Sequence, residues 1–364
     1  MLDYGHILNT CLRIRTMRKN KKLGCLSLLL LSPVTMAMQP LDDQSLSATT
    51  GQDGLSIAVN ISKIDFDQIA IIDKDGFAKK GETALPTAAL VMAKRLGTSD
   101  TTGVDFVRTF NTNGTIQNSS TELLKAVIDT DAGTGTNGAF ANVALTFGSD
   151  VNGIRIRPFS LYMTPKDVIS MISGSTYTRK SIFDSGTTNY TKDTSGNAYP
   201  IRELLRSNSN IDIKFMSTNK PTMNLQLGAS PQGHLVMFGG AIDSICGSTT
   251  AQPDGCSFNL VSGATGAKFD AQLTSFDTNG ISLDGFYLSV VGDAVVGSET
   301  FPGGVVFGNS GVSDKFNLSI KNLQLGDAGA VNTNVFNGLK NGSIGNIGAV
   351  GVSATNLKMT VRGM

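Results

Sequence analysis

Apolar and polar residues alternate one by one through most of this chain. Leu55, Ile57, Val59 and Ile61 set the pattern, and it returns at Val143, Leu145 and Phe147, at Ile154 and Ile156, and at Ile211, Ile213 and Phe215. Met223, Leu225 and Leu227 continue it, followed by Phe269, Ala271 and Leu273. Phe316, Leu318 and Ile320 lead into Leu323 and Leu325, and Leu357, Met359 and Val361 close the series. A period of two places the apolar set on one side of a pleated strand, so these segments predict half-buried strands in antiparallel sheets. Ile64 and Phe66 run one step out of phase with Ile61, as a β-bulge would produce.

Helical signals are short. Thr164 to Met171 offers a capping threonine followed by Pro165, which predicts one helix there. Ala88 to Leu96 and Pro200 to Arg206 are weaker candidates, and Leu41 to Gly51 reads as a short helix with an acidic start and a glycine stop. The fold class expected is all-β: a large antiparallel β-sandwich or β-roll with a few short helices. The pentapeptide Asn224-Leu225-Gln226-Leu227-Gly228 recurs as Asn322-Leu323-Gln324-Leu325-Gly326, and 210–214 is echoed at 317–321. Two related halves with a boundary near residue 200 would explain this. The small alphabet of alternating strands explains it more simply, and no fixed repeat period exists.

Composition fits that class. Of 364 residues 40% are apolar and only 16% charged, with 41 glycines and no tryptophan. Such a chain can bury a core and is rich in turns. The formal charge of +1 hides an asymmetry: residues 1–37 hold six basic residues and one acidic, leaving 24 basic against 28 acidic in 38–364, a net of −4. The remaining cations are scattered, which argues against nucleic acid as a partner.

The basic stretch belongs to an export signal. Met17 to Lys22 is a basic n-region, Leu23 to Leu31 an apolar h-region, and Thr35-Met36-Ala37 a small-residue cleavage site before Met38. The apolar run is too short to span a bilayer, so no transmembrane anchor is expected. The chain thus divides into an N-terminal extension plus signal peptide (1–37) and a β-rich exported domain (38–364). Residues 1–16 precede a normal n-region, so the start lies at Met1 or Met17. Cys25 sits at the wrong end of the apolar run for a lipobox.

Export bears on the remaining cysteines. Cys246 and Cys256 bracket a polar loop containing glycine and proline, and in an oxidising compartment they are expected to pair as a disulfide. His234 is the sole histidine of 38–364. Without a free cysteine or second histidine, the usual nucleophile–base pairs and zinc sites lack material. Asp184-Ser185-Gly186-Thr187-Thr188 spells the loop of an aspartic protease, and Phe238-Gly239-Gly240 resembles a strand of one, but no second such aspartate occurs to share the proton. Gly133 to Gly138 spells GxGxxG, yet a strand-like stretch follows instead of a helix, as in a hairpin loop. Asp73-Lys74-Asp75-Gly76 with Glu82 approaches a calcium-loop spacing. Related turns stand at Asn111 to Gly114, Asp150 to Gly153 and Asp277 to Gly280. Tight turns are preferred over calcium sites, which remain the alternative. No catalytic, cofactor-binding or metal residue is assigned, no cofactor is expected, and the chain is not expected to be an enzyme.

The stretch Leu41-Asp42-Asp43-Gln44-Ser45-Leu46-Ser47-Ala48-Thr49-Thr50-Gly51-Gln52-Asp53-Gly54-Leu55-Ser56-Ile57 resembles the mature start of a FilA-like pilus-system family of exported gammaproteobacterial surface proteins. The resemblance implies export to the periplasm, the outer-membrane surface or an extracellular fibre. It implies other pilus-system or envelope proteins as partners, and self-assembly. It brings no catalytic residues. The chain lacks the retained N-terminal helix of type IV pilins, and Val361 to Met364 lacks the terminal aromatic of outer-membrane barrels. The function expected is a structural or accessory component of a pilus-like or adhesive fibre. The alternative is a secreted β-sandwich that binds a ligand or carbohydrate, against which the missing tryptophan weighs.

Overall fold

The repeated alternation becomes strand after strand in the computed structural model, which describes residues 54–73, 87–95, 101–133, 138–166, 177–178, 191–193, 198–199, 201–229, 231–262, 265–296, 299–326, 334–336, 339–340 and 343–362. These belong to one compact unit, Gly54–Met364. The helix expected at Leu41 to Gly51 lies outside the described residues.

The chain shuttles between two large antiparallel sheets, here A and B. It starts in A with β1 (Leu55–Val59) and crosses to B for β2 (Lys63–Phe66), β3 (Gln68–Ile72), β4 (Ala88–Ala93), β5 (Thr102–Phe110) and β6 (Ile116–Asn118). The hairpin β7 (Leu124–Asp131) and β8 (Phe140–Phe147) returns to A. Sheet B then takes β9 (Gly153–Ile156) and β10 (Ser160–Pro165). A small separate sheet follows, of β11 (Tyr177–Thr178), β12 (Thr191–Asp193) and β13 (Ala198–Tyr199). B resumes with β14 (Arg202–Ser207) and β15 (Ile211–Phe215), and A with β16 (Thr222–Gly228) and β17 (Val236–Gly239). B receives β18 (Ala241–Ile245), β19 (Cys256–Ser262), β20 (Thr265–Ser275) and β21 (Ile281–Ser282). A gains β22 (Phe286–Val291) and, after the ribbon β23 (Ala294–Val296) and β24 (Glu299–Phe301), β25 (Gly304–Asn309). B gains β26 (Phe316–Gly326) and, after the ribbon β27 (Asn334–Phe336) and β28 (Leu339–Lys340), β29 (Ser343–Val352). The last strand, β30 (Lys358–Arg362), closes A.

Sheet A therefore has the order β1-β7-β8-β16-β17-β22-β25-β30. Sheet B contains a matching ladder, β2-β5-β9-β15-β18-β20-β26-β29. Both run strictly in chain order. A side wing, β19-β14-β10-β4-β3, branches from β20. It buries Ala89, Val91 and Ala93 of β4 and Tyr162 of β10.

The register shows why alternation produced this arrangement. One apolar row crosses all eight strands of A: Leu55, Ile128, Val143, Leu225, Val236, Leu288, Phe307 and Met359 stand opposite one another in turn. In B a similar row joins Phe106, Ile154, Ile213, Ile245, Leu273, Leu318 and Ala349. The two apolar faces meet where Phe147 of A touches Phe215 of B, with ring centroids 4.7 Å apart. Phe106, Leu123, Val151 and Phe215 form the buried core there. Between the faces lies an apolar cavity of about 350 Å³, walled by residues such as Leu145 and Met223 from A and Ile154 and Ile242 from B.

Five local expectations meet the structure differently. Thr164 and Pro165 end β10 and pair with Ala89 and Ala88, so strand runs through the predicted start of the helix; residues 167–171 of that helix lie outside the described residues. Ala88 to Ala93 and Arg202 to Arg206 are strands β4 and β14 instead of helices. The phase slip between Ile61 and Ile64 is no bulge: it is where the chain leaves A for B. And β1 is not half-buried, since all five of its residues are exposed.

Glycine makes one crossover abrupt. Gly240, with φ +78°, is the single residue between β17 in A and β18 in B, and a side chain there would strike the Lys220 backbone carbonyl. The Gly239-Gly240 pair thus serves a change of sheet.

Candidate functional site: the open ends of the sandwich

Cys246 follows β18 and Cys256 opens β19, and the two form a disulfide with Cα atoms 5.2 Å apart. The loop they clamp leans on a turn the sequence also singled out: Thr250 N–H donates to Thr112 O at 2.8 Å. Beside that contact is a polar hollow of about 280 Å³ lined by Phe110, Asn111, Thr112, Lys214, Ser248 and Thr249. The Lys214 ammonium lies 5.5 Å from the Phe110 ring centre.

The acidic turns direct their side chains at their own surroundings. Thr115 N–H and hydroxyl donate to Asn113 Oδ1, and Asn279 N–H donates to Asp277 Oδ1. Asp150 accepts from Ser119 Oγ at 2.8 Å, from Ser120 N–H and from the Thr121 hydroxyl. Burial alone would raise the Asp150 pKa, but the Thr121 and Ser119 hydrogen bonds outweigh it and hold the carboxyl below its ordinary range. Lys220, donating to Gly148 O and Ser149 O, is lowered by burial, with the Asp150 charge partly offsetting this. Among the described residues no three His, Cys, Asp or Glu side chains gather as a metal site would require. Asp75, Gly76 and Glu82 of the calcium-like spacing, and the whole Asp184–Thr188 loop, fall outside the described residues. The GxGxxG spelling lies in the connection of a hairpin whose last pair is Asp131 with Phe140.

His234 does find a hydroxyl. Its Nδ1 is 2.8 Å from Ser289 Oγ, and its ring stacks on Tyr287 at 3.7 Å. An imidazole beside a serine has the form of a nucleophile–base pair, which in a triad is completed by a third group, a carboxylate that orients the base. No described carboxylate hydrogen-bonds to His234. Stacking and one hydrogen bond account for its position. No spacing in the sequence pointed to Ser289, because β17 and β22 become neighbours only through the sheet.

The arrangement with the most unspent chemistry is at the two ends of sheet A. β1 has a partner on one side only, β7, and β30 likewise only β25. Each leaves one row of backbone N–H and C=O groups without a strand among the described residues. β1 reads Leu-Ser-Ile-Ala-Val: it has no charge, no proline and no glycine, and its register with β7 is unbroken. Its row Leu55, Ile57 and Val59 is 59%, 41% and 39% exposed. At the other end Leu357, Met359 and Val361 are 40%, 54% and 62% exposed. The register puts Leu55 and Met359 in the same apolar row, so both ends display the inner face of one sheet.

The β29 end of sheet B is different, whereas β3 at the end of its wing is like β1: it has no charge, proline or glycine, pairs with β4 in unbroken register, and exposes Ile69, Ile71 and Ile72. β29 pairs with β26 through several register shifts, and Gly345 and Gly351 take positive φ. Such bulges blunt an edge.

Comparison with known proteins adds one finding. Residues 17–132 match the model of a family described as a family of unknown function (DUF6160). The match is under half of the chain and covers the signal-like segment and the strands β1 to β7. No curated protein and no solved structure matches. No helix of the described residues is long and apolar enough to cross a membrane.

Proposed function

We propose that this protein is an exported structural or accessory component of a pilus-like or adhesive fibre at the cell surface, partnered by other envelope or fibre proteins. The observation that carries this is the pair of open ends: a regular, uncharged edge strand at β1, and exposed apolar rows on β1 and β30. Large exposed apolar patches and unpaired edges are surfaces that recruit other chains. The tripartite segment Met17–Ala37 and the resemblance of 41–57 to FilA-like proteins support export in the same direction.

Cell fractionation with fibre shearing tests it. The protein is expected in the sheared surface fraction, with N-terminal sequencing giving a start at or near Met38. Recovery in the cytoplasm with Leu23–Leu31 intact would overturn it.

A second reading, a secreted ligand- or carbohydrate-binding module, draws on the polar hollow beside the disulfide loop. Binding of defined glycans by the soluble protein, lost on Lys214→Ala, would favour that reading.

A further inference from the structure

We propose that copies of this chain join head to tail, with β30 of one copy adding to the free side of β1 of the next. This rests on the fibre reading and names its partner: a second copy.

Strand direction comes first. Every neighbouring pair in sheet A is antiparallel and the sheet has eight strands, so β1 and β30 point in opposite directions. Setting β1 of a second copy beside β30 therefore continues the antiparallel alternation without turning the copy over. Both strands have five residues.

Side chains then choose the register. The face that carries Leu55, Ile57 and Val59 also carries Met359 and Val361, so only registers that keep these together preserve the pleat. Of these, the register that makes three apolar pairs sets Leu55 opposite Val361, Ile57 opposite Met359 and Val59 opposite Leu357. On the other face Ser56 meets Thr360, and Ala58 meets Lys358.

Charge argues against pairing β30 with itself. Two β30 strands centred on Thr360 would set Lys358 directly against Arg362 of the other copy, and like charges directly opposite are destabilising. The uncharged β1 presents Ser56 and Ala58 to the same row. Because the two surfaces differ, the contact is heterologous and does not close on itself by a twofold axis. Each copy adds eight strands, roughly 38 Å of sheet at the usual strand spacing.

The experiment uses the mature chain with its native disulfide. Ser56→Cys and Thr360→Cys are made as separate variants and mixed under mild oxidation, since directly opposite Cα atoms fall within disulfide reach. A dimer joined Ser56→Cys to Thr360→Cys is expected in the mixture, and a ladder from the double variant. Ile57→Lys or Met359→Lys should reduce that yield at least tenfold while leaving the melting temperature in place, because both side chains are exposed. Three results overturn the proposal: dimers in Ser56→Cys alone that match the yield of the mixture, which means a twofold contact; no intermolecular disulfide although both thiols react with a small maleimide; or cross-linking that appears only after deletion of 41–51, which means the chain's own N-terminal segment occupies the edge. A surface-located protein that fails to cross-link leaves the fibre reading standing and removes only the head-to-tail contact.

Discussion

Asp212 stands opposite Arg155 in the register of β15 with β9, and the two side chains form a bidentate pair at 2.6 and 2.7 Å. Their side chains are 3% and 9% exposed. Removing one partner strands the other's charge, so Asp212→Ala should lower stability by about 3–5 kcal/mol in urea unfolding. Arg155→Met with Asp212→Leu should recover most of that, since an apolar pair of similar volume carries no such penalty. Asp150 gives a different signature. Its folded pKa lies below the unfolded value, so its contribution is fully present above about pH 4 and is lost as pH falls through the folded pKa. Wild type should therefore exceed Asp150→Asn in thermal stability at neutral pH, and the two curves should converge under acid. Curves that stay parallel down to pH 2 would contradict this. Neither residue was distinguishable in the sequence beyond a turn motif at Asp150, because both depend on partners far along the chain, Arg155 of β9 for one and the β6–β7 connection for the other.

Elements were legible where alternation was long and misread where a local cue spoke louder. The Thr164-Pro165 pair looks like a helix start by itself, but both residues pair with β4, at the end of a strand whose residues 160–163 are also held by β14. Ladder pairing overrides a propensity worth a few tenths of a kcal/mol per residue. The alanines of β4 read as helix formers, yet they alternate with Leu90 and Met92 and let the wing pack closely. The passage from Ile320 to Leu323 shows the opposite case, where a phase slip is a true bulge. Asn322 takes φ +52°, the β26 register shifts, and its side-chain amide donates to Asp254 and Asp270. Asp254 is lowered by that Asn322 bond and by Lys321, which ties the disulfide loop to β26. Replacing Cys246 and Cys256 together by serine should cost ~2–3 kcal/mol by loop-closure entropy. The loss should show as a lower unfolding midpoint, and one no different from wild type would mean that the Asp254 tether and the Thr250–Thr112 bond hold the loop without the disulfide.

For the whole molecule, the fold class was readable and the topology was not. Period-two runs establish strands with one apolar face, but nothing in them says whether Leu55 will meet Ile128 or some nearer row. The open ends were invisible for the same reason: Leu55–Val59 spells a half-buried strand, and only its place at the margin of sheet A exposes it. The two eight-strand ladders also have a consequence in time. Both are numbered in chain order, so when a strand of either ladder leaves the ribosome, the neighbour it will pair with has already been made. The sandwich can grow from its β1 end with the advancing chain, whereas β3 and β4 of the wing stay joined only to β10 and β14 until β19 arrives. Pulsed hydrogen exchange during refolding should find β7 and β8 protected before β25 and β30, and protection that rises everywhere at once would show that the order of synthesis leaves no trace in the order of folding.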